Sequence, residues 1–165
     1  MTDKSDEIVI RKPLIKDVPA MADLINGFAS QGLMLPRSRY QVYKFLREFV
    51  VATSHDVIAG CAALDIVWED LGEIRSLAVA EEWHRHGVGR LLVEALLDEA
   101  KALGLPGVFV LTYQQEFFEE MGFHVVSRES LPHKIWGDCL NCPKFPNCDE
   151  IAMMLQFEKE ENNEG

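Results

Sequence analysis

A chain of 165 residues with 48% hydrophobic residues is long enough for one globular domain with a buried core, and nothing in it calls for a second domain. Its formal net charge of −11 and its pI near 4.8 disfavour binding to a nucleic-acid backbone or an acidic lipid surface, except at a local basic patch. No apolar run approaches a membrane span, and residues 1–7 lack the apolar core of a secretory signal, so we expect a cytoplasmic location.

The first half of the chain is predicted to contain a strand, two helices and a strand hairpin. Asp17 caps the first helix, with Pro19 in its first turn, and Ser38 caps the second. The residues on both sides of His55-Asp56 have a β-prone composition, which predicts two strands joined as a hairpin. The predicted ranges are residues 7–12, 17–30, 38–48, 49–53 and 57–68.

The second half alternates strands and helices. Apolar residues recur at helical spacing from Val88 to Leu103, and Gly104 is a typical C-terminal stop. The predicted ranges are residues 73–79, 88–103, 107–112, 116–121, 123–127 and 151–157. We therefore predict a single domain over residues 1–157, with an insertion at about 130–150 and a disordered acidic tail at 158–165.

The most specific signal is the passage from a strand through a basic, glycine-containing turn into a helix, over residues 73–90. Gly87 and Gly89 remove β-carbons where the first turn of the helix leaves backbone N–H groups unpaired, so an anion can approach those donors. Positive charge comes from Arg85 and Arg90, and from His86 when it is protonated. The turn therefore favours a phosphorylated ligand, the alternative being a surface helix that begins with these residues by chance.

Two known phosphate-binding patterns do not fit this turn. A dinucleotide fingerprint needs more glycines, in the first strand–helix unit of an alternating series. A Walker loop needs a Gly-Lys-Ser/Thr ending, which is absent here.

The turn resembles motif A of the GNAT acetyltransferases, a Gln/Arg-x-x-Gly-x-Gly/Ala sequence that follows the fourth strand and holds the pyrophosphate of acetyl-CoA. His84 stands at the Gln/Arg position. The resemblance implies an α/β (α+β) GNAT fold, with a mixed, mostly antiparallel central sheet flanked by helices, and acetyl-CoA as co-substrate. The cofactor contacts that it implies are Leu77, Ala78, Val79, His84, Arg85, His86, Gly87, Val88, Gly89 and Arg90.

Three local sequences together resemble the acetyltransferase domain of N-acetylglutamate synthases: residues 35–39, 73–79 and 117–123. The resemblance implies transfer of acetyl to the α-amine of L-glutamate, the first step of arginine biosynthesis, by a short form without the kinase-like domain of longer members. Phe118 stands where many GNAT members have a tyrosine that protonates the leaving thiolate. Two alternatives stay open: an acetyltransferase for another amino acid or small amine, and a non-catalytic acetyl-CoA sensor.

Glutamate offers two carboxylates, which arginine side chains match bidentately. The candidates for binding the acceptor are Arg37, Arg39, Arg75 and Lys134. The alternative is that these are solvated surface cations. A small-molecule acceptor and a homodimer are the partners that the family implies.

Direct attack by the α-amine requires a base, because the amine arrives as an ammonium ion. Glu73 is the candidate, either as the base or as a carboxylate that only positions Arg75. Backbone N–H groups of residues 77–79 are expected to stabilise the developing oxyanion. Thr112 and Tyr113 are alternative donors to the leaving sulfur.

Three cysteines, Cys139, Cys142 and Cys148, lie in the insertion. Together with a fourth ligand such as His133 or Asp138 they have the chemistry of a zinc site, although a second Cys-x-x-Cys pair is missing. The alternative is a reduced or partly oxidised lid. Cys61 lies in a strand and is expected to be a buried small hydrophobe.

Overall fold

The structure is a computed structural model, which describes residues 7–131 and 150–158. Over these residues the elements follow the predicted order of strands and helices. They are β1 (Ile8–Arg11), α1 (Val18–Ala29), α2 (Arg39–Lys44), β2 (Phe49–Ser54), β3 (Val57–Trp68), β4 (Leu71–Val79), α3 (Val88–Ala102), β5 (Gly107–Thr112), α4 (Gln115–Glu120), β6 (His124–Val125) and β7 (Ile151–Gln156).

The strands of the described residues form one mixed sheet in the order β1-β2-β3-β4-β5-β7-β6. The pairs β1–β2, β2–β3, β5–β7 and β6–β7 are antiparallel. The β4–β5 pair is parallel, with Gly72 opposite Val108 and Glu73 opposite Phe109. The predicted mixed, mostly antiparallel sheet is therefore confirmed, and the last strand in the chain lies between β5 and β6.

Two predicted elements have different bounds. The second helix ends at Lys44 rather than near Glu48, and Leu46–Glu48 form a 3-10 turn. Phe45 and Leu46 both pack against the core, which a regular helix disfavours for consecutive residues. The strand predicted at 123–127 pairs only over His124–Val125.

One compact unit comprises the described residues of Met1–Asp65 and Ile74–Asp98. In its core, the apolar face of α1 packs with residues of α2 and the strands, namely Val18, Met21, Ala22, Ile25, Val42, Phe49, Val51, Cys61, Ala63 and Ala78. Burial raises the pKa of the Cys61 thiol to about 12, so the thiol stays protonated. Cys61 is thus a buried small hydrophobe, as predicted.

Within this unit, Gly60 on β3 allows α3 to approach the sheet closely. A β-carbon added at Gly60 would lie 3.0 Å from the Ala78 carbonyl oxygen and 3.0 Å from Leu92 Cδ1. Val88, the first residue of α3, would be 3.4 Å away. The absence of a side chain at Gly60 therefore fixes where the first turn of α3 lies relative to β4.

The other unit comprises the described residues of Ile66–Glu73 and Glu99–Gly165. Phe118 on α4 is only 2% exposed, and its ring meets those of Phe117 and Phe123 edge-on, with centroid distances of 4.9 and 5.1 Å. These contacts explain an apolar ring at this position, because edge-to-face aromatic pairs stabilise a core beyond the area they bury.

Candidate active site

The turn before α3 contains two residues in the left-handed region, Arg85 at φ +66° and Gly87 at φ +77°. A β-carbon at Gly87 would have no heavy atom within 4 Å, so the backbone is open to a ligand there. The N–H of Leu91 donates to the Gly87 carbonyl oxygen at 3.1 Å, so the amides of residues 88–90 precede the first donor of the helix. The turn therefore offers an open set of N–H donors with the positive end of a helix dipole, which fits a diphosphate.

The side chain of His84 ties this turn to the end of β4. Its Nε2 lies 2.7 Å from the carbonyl oxygen of Val79, and because a carbonyl can only accept, Nε2 carries the hydrogen. The ring also stacks on Phe28, with centroids 6.1 Å apart and planes inclined by 19°. The His84 N–H donates to Glu81 O at 3.1 Å. Both the ring and the amide of His84 are therefore engaged in holding the turn.

The basic side chains predicted to face the phosphates lie around the first turn of α3. Arg90 is 57% exposed, and its Nε donates to Glu94 Oε1 at 3.0 Å, which orients the guanidinium along the helix. His86 meets the Trp83 ring edge-on, with a centroid distance of 5.9 Å. Arg85 is exposed.

β4 contains a left-handed residue in its middle, Ser76 at φ +57°. A non-glycine residue in this region costs about 1–3 kcal/mol and is typical of functional sites. The alternation of more and less buried side chains that a regular strand shows stops here, since Ile74 and Ala78 are buried while the three residues between them are all half-buried. The thiol of Cys61 donates to Ser76 O at 3.7 Å. The regular strand pattern therefore breaks immediately before the segment predicted to face the thioester, residues 77–79.

A small recess, partly open to solvent, lies beside Ser76. The recess is lined by Arg37, Gln41, Val42, Phe45, Phe49, Ala63, Arg75 and Ser76. Two of the four predicted acceptor-binding cations therefore line it. Arg39 is exposed at the start of α2, and Lys134 lies outside the described residues.

Arg37 is only 8% exposed although it lies in the loop between α1 and α2. The side-chain amide of Asn26 on α1 makes two hydrogen bonds to the backbone of Arg37. Its Oδ1 accepts from the Arg37 N–H at 2.9 Å, and its Nδ2 donates to the Arg37 carbonyl oxygen at 2.7 Å. The loop is thus fixed at a residue that lines the recess.

Arg75 on β4 extends between two carboxyl groups. Its Nη2 lies 3.8 Å from Glu48 Oε1, and its Nη1 lies 3.4 Å from Asp65 Oδ2. The guanidinium carbon is 5.3 Å from the centroid of the Phe45 ring, a cation–π distance. Arg75 is therefore held in one orientation at the wall of the recess.

Burial raises the pKa of Glu48 to about 7, and the neighbouring negative charge of Asp65 acts in the same direction. Arg75 and Arg37 oppose the shift without cancelling it. Glu48 Oε1 is buried without a hydrogen-bond partner, since its distance to Arg75 is too long for one. Near neutral pH, this group can therefore hold or release a proton.

The candidate catalytic residues Glu73, Thr112 and Tyr113 belong to the other unit. Glu73 is half-buried on β4, opposite Phe109 of β5. Thr112 ends β5 and is 7% exposed; its Oγ1 accepts from the Gln114 N–H at 2.8 Å, which leaves the hydroxyl hydrogen for another acceptor. Tyr113 is half-buried. Both donors to sulfur stay candidates.

The proposed zinc ligands Cys139, Cys142 and Cys148 lie outside the described residues. Among the residues that are described, no group of three or more His, Cys, Asp or Glu side chains could hold a metal ion. In the same part of the chain, every helix is too short or too polar to cross a membrane.

Three residues of the site were missed in the sequence: Asn26, Glu48 and Asp65. Asn26 lies inside a helix, where asparagine is unfavourable, and this is a weak signal of a special role. Asp65 interrupts a long apolar run in β3, which is a stronger signal for a buried charge. Glu48 has no comparable signal, because an acidic residue before a strand is ordinarily solvated.

Comparison with known proteins connects this geometry to a family. The model of a family described as acetyltransferase (GNAT) matches residues 20–123. The chain is 42% identical over 145 residues to an uncharacterized N-acetyltransferase, CT2212, of Chlorobaculum tepidum, covering 88% of this chain and 94% of that protein. It is 40% identical over 118 residues to an amino-acid acetyltransferase of Mycobacterium tuberculosis, covering 70% of this chain and 67% of that protein.

Among solved structures, the chain is similar to N-acetylglutamate synthase from Neisseria gonorrhoeae, complexed with coenzyme A and N-acetyl-glutamate. The TM-score is 0.84 at 29% identity. The match covers 92% of this chain and 35% of that longer protein. The predicted fold is confirmed by this agreement.

Proposed function

Because the chain belongs to the acetyltransferase (GNAT) family and is an acetyl-CoA-dependent N-acetyltransferase that acts on an amino acid, we propose that its acceptor is L-glutamate. The reaction is then that of N-acetylglutamate synthase, the first step of arginine biosynthesis. A cytoplasmic location and a homodimer stay predictions alongside it.

The observation that carries the proposal is the pair of arginines at one recess. Arg37 and Arg75 both line it. An amino acid with a second carboxylate can use both groups, because arginine binds carboxylates with charge-assisted hydrogen bonds. The similarity to a synthase solved with N-acetyl-glutamate supports the same acceptor.

In the proposed mechanism, acetyl-CoA supplies an acetyl group activated as a thioester. The amides of residues 88–90, with Arg85 and Arg90 beside them, hold the diphosphate. Backbone N–H groups of residues 77–79 face the thioester carbonyl and stabilise the charge that develops on its oxygen.

We assign the proton transfers to Glu73 and to Thr112 or Tyr113. Glu73, directly or through water, takes a proton from the ammonium so that the nitrogen can attack the carbonyl carbon. The carbon–sulfur bond breaks, the nitrogen loses its second proton as the amide forms, and one proton passes through the hydroxyl of Thr112 or Tyr113 to the sulfur, so that the hydroxyl is restored. The net result is an N-acetyl amino acid and free coenzyme A.

The test is thiol release from acetyl-CoA in the presence of single amino acids, with the product identified by mass spectrometry. L-Glutamate is expected to give the highest kcat/KM and N-acetylglutamate as product. A higher kcat/KM for another amine would assign a different acceptor. If calorimetry detects binding of acetyl-CoA but no acceptor is turned over, the protein is a non-catalytic acetyl-CoA sensor instead.

A further inference from the structure

One side chain closes the connection between β4 and α3 on itself. His84 Nε2 donates to the carbonyl oxygen of Val79 at 2.7 Å, so two residues five positions apart are joined across this connection. The backbone N–H of His84 donates to the Glu81 carbonyl oxygen at 3.1 Å. The imidazole and the backbone of His84 therefore both bind the segment that leaves β4.

The imidazole of His84 also contacts α1. It stacks on the ring of Phe28, with centroids 6.1 Å apart and planes inclined by 19°. Phe28 is half-buried and packs against the core of its unit. The imidazole therefore connects this core with the end of β4.

The residue that follows His84 has a strained backbone. Arg85 has φ +66°, a conformation that costs free energy for a residue with a β-carbon and persists only where the surroundings impose it. Gly87 has φ +77°, which glycine adopts without this cost. The three contacts of His84 immediately precede Arg85, so they can offset the cost of its conformation.

We propose that His84 is a positioning residue for acetyl-CoA: its Nε2–H holds the turn, before the cofactor arrives, in the conformation that presents the amides of residues 88–90 to the diphosphate. The imidazole acts through the Val79 carbonyl oxygen, without touching the cofactor. The inference rests on the proposed function, because it concerns the turn that is proposed there to bind the diphosphate.

A turn that is already held in its binding conformation needs no further ordering when the ligand binds. Without the hydrogen bond to Val79, the turn relaxes in the free protein, and the apparent affinity for acetyl-CoA falls with the fraction of molecules that keep the binding conformation. Once acetyl-CoA is bound, the turn is ordered in either case. The KM for acetyl-CoA should therefore rise, while kcat at saturating acetyl-CoA stays nearly constant.

Three substitutions separate the hydrogen-bond donor of His84 from its ring. His84→Gln retains an N–H donor at the same number of bonds from the β-carbon and loses the ring. His84→Phe retains an aromatic ring and loses the donor. His84→Asn has an amide nitrogen one bond nearer the β-carbon, too short to reach Val79. His124→Asn, at an exposed histidine of β6, is the matched control.

The dissociation constant of acetyl-CoA is measured by isothermal titration calorimetry, which needs no acceptor, and KM and kcat are measured by steady-state kinetics. His84→Phe and His84→Asn are expected to weaken acetyl-CoA binding about 3–12-fold, the size of one net hydrogen bond. Their kcat and their KM for the acceptor should stay near the wild-type values. His84→Gln and His124→Asn should bind acetyl-CoA as the wild type does. Two variants without the donor keep the test available if one of them does not fold.

The outcomes separate this inference from the proposed function. Wild-type affinity in His84→Phe and His84→Asn, or a loss in His84→Gln as large as in His84→Phe, overturns the inference while glutamate turnover stands. A fall in kcat or a rise in acceptor KM as large as the loss of acetyl-CoA affinity also overturns it, because the damage is then general. Absence of acetyl-CoA binding by the wild-type protein overturns both. Absence of glutamate turnover, with the expected changes in acetyl-CoA affinity, overturns the proposed acceptor alone.

Discussion

Asn26 and Arg37 are joined through two hydrogen bonds, of 2.7 and 2.9 Å, between the side-chain amide of the first and the backbone of the second. Eleven positions separate them, so the contact fixes a loop onto a helix. It leaves the Arg37 guanidinium out of the clamp. The position of Arg37 at the proposed acceptor recess therefore depends on Asn26, whereas the charge there depends on Arg37 itself, and substitutions can separate the two effects.

Asn26→Ala removes the clamp and retains the charge. Loss of two hydrogen bonds at a partly buried site is expected to cost about 1–3 kcal/mol of stability. Because Arg37 is then less well placed, the KM for glutamate should rise about 3–10-fold, with the KM for acetyl-CoA nearly unchanged. Steady-state kinetics and chemical unfolding measure both effects. Ser30→Ala, a polar deletion at the end of the same helix, is the control.

Arg37→Ala removes the charge and retains the clamp, since Asn26 binds only backbone atoms. Loss of a charge-assisted hydrogen bond typically costs about 1.5–3 kcal/mol of binding free energy. The KM for glutamate should therefore rise roughly 10–100-fold, which is more than in Asn26→Ala. Arg39→Ala tests the exposed neighbour and is expected to have a smaller effect. If Arg37→Ala raises the acetyl-CoA KM equally, Arg37 does not serve the acceptor.

The parts of the fold that local sequence determines were predicted correctly. The turn at Gly87 is one such part, because its φ of +77° favours glycine. The spacing of apolar residues in α3 likewise predicted a helix that ends near Gly104. The order of strands and helices came from similar local patterns.

The proposed acceptor recess could not be predicted from the sequence, because the charged residues in and around it come from four distant segments. Arg37, Glu48, Asp65 and Arg75 meet only after β2, β3 and β4 pair. Nor does composition indicate the left-handed Ser76, because serine has no preference for positive φ. Such a conformation is imposed by the surrounding sheet.

Gly87→Ala tests whether the turn before α3 binds the diphosphate of acetyl-CoA, as proposed. The added methyl group meets nothing within 4 Å, so its effect comes from the φ of +77°, which alanine adopts with strain of about 1 kcal/mol. The turn should relax, and the KM for acetyl-CoA should rise about 5–20-fold with a smaller change for glutamate. Gly104→Ala at the other end of α3 is a matched control, since Gly104 has φ +85° and equally open surroundings. It should lose similar stability and keep its affinity for acetyl-CoA.

Glu73→Gln tests the proposed base. Without a proton acceptor the amine must lose its proton to solvent, which is hardest at low pH, so kcat should fall most there. We expect a loss of about 10²–10⁴-fold near pH 7 that narrows as pH rises. The pH–rate profile is the measurement, with Glu116→Gln on the exposed side of α4 as control. A uniform loss at all pH values would assign Glu73 a positioning role.

Glu48→Gln should also change stability in a way that depends on pH. The pKa of Glu48 is raised from 4.5 to about 7 in the folded protein, so between these values the folded state binds more protons than the unfolded state. Stability from this group is therefore fully present below pH 4.5 and is lost as pH rises through 7. Because glutamine does not titrate, the Glu48→Gln variant does not lose this stability as the pH rises.

The difference in unfolding free energy between Glu48→Gln and the wild type should thus shift in favour of the variant from pH 5 to pH 8. Each unit of pKa shift corresponds to about 1.4 kcal/mol, and partial exposure reduces the total to about 1–2 kcal/mol. Urea unfolding at both pH values measures it, and other titrating groups cancel because both proteins carry them. Glu69→Gln, a change of the same chemistry in the exposed turn between β3 and β4, should show no such shift. An equal difference at pH 5 and pH 8 would mean that the Glu48 carboxyl is ionised throughout this range.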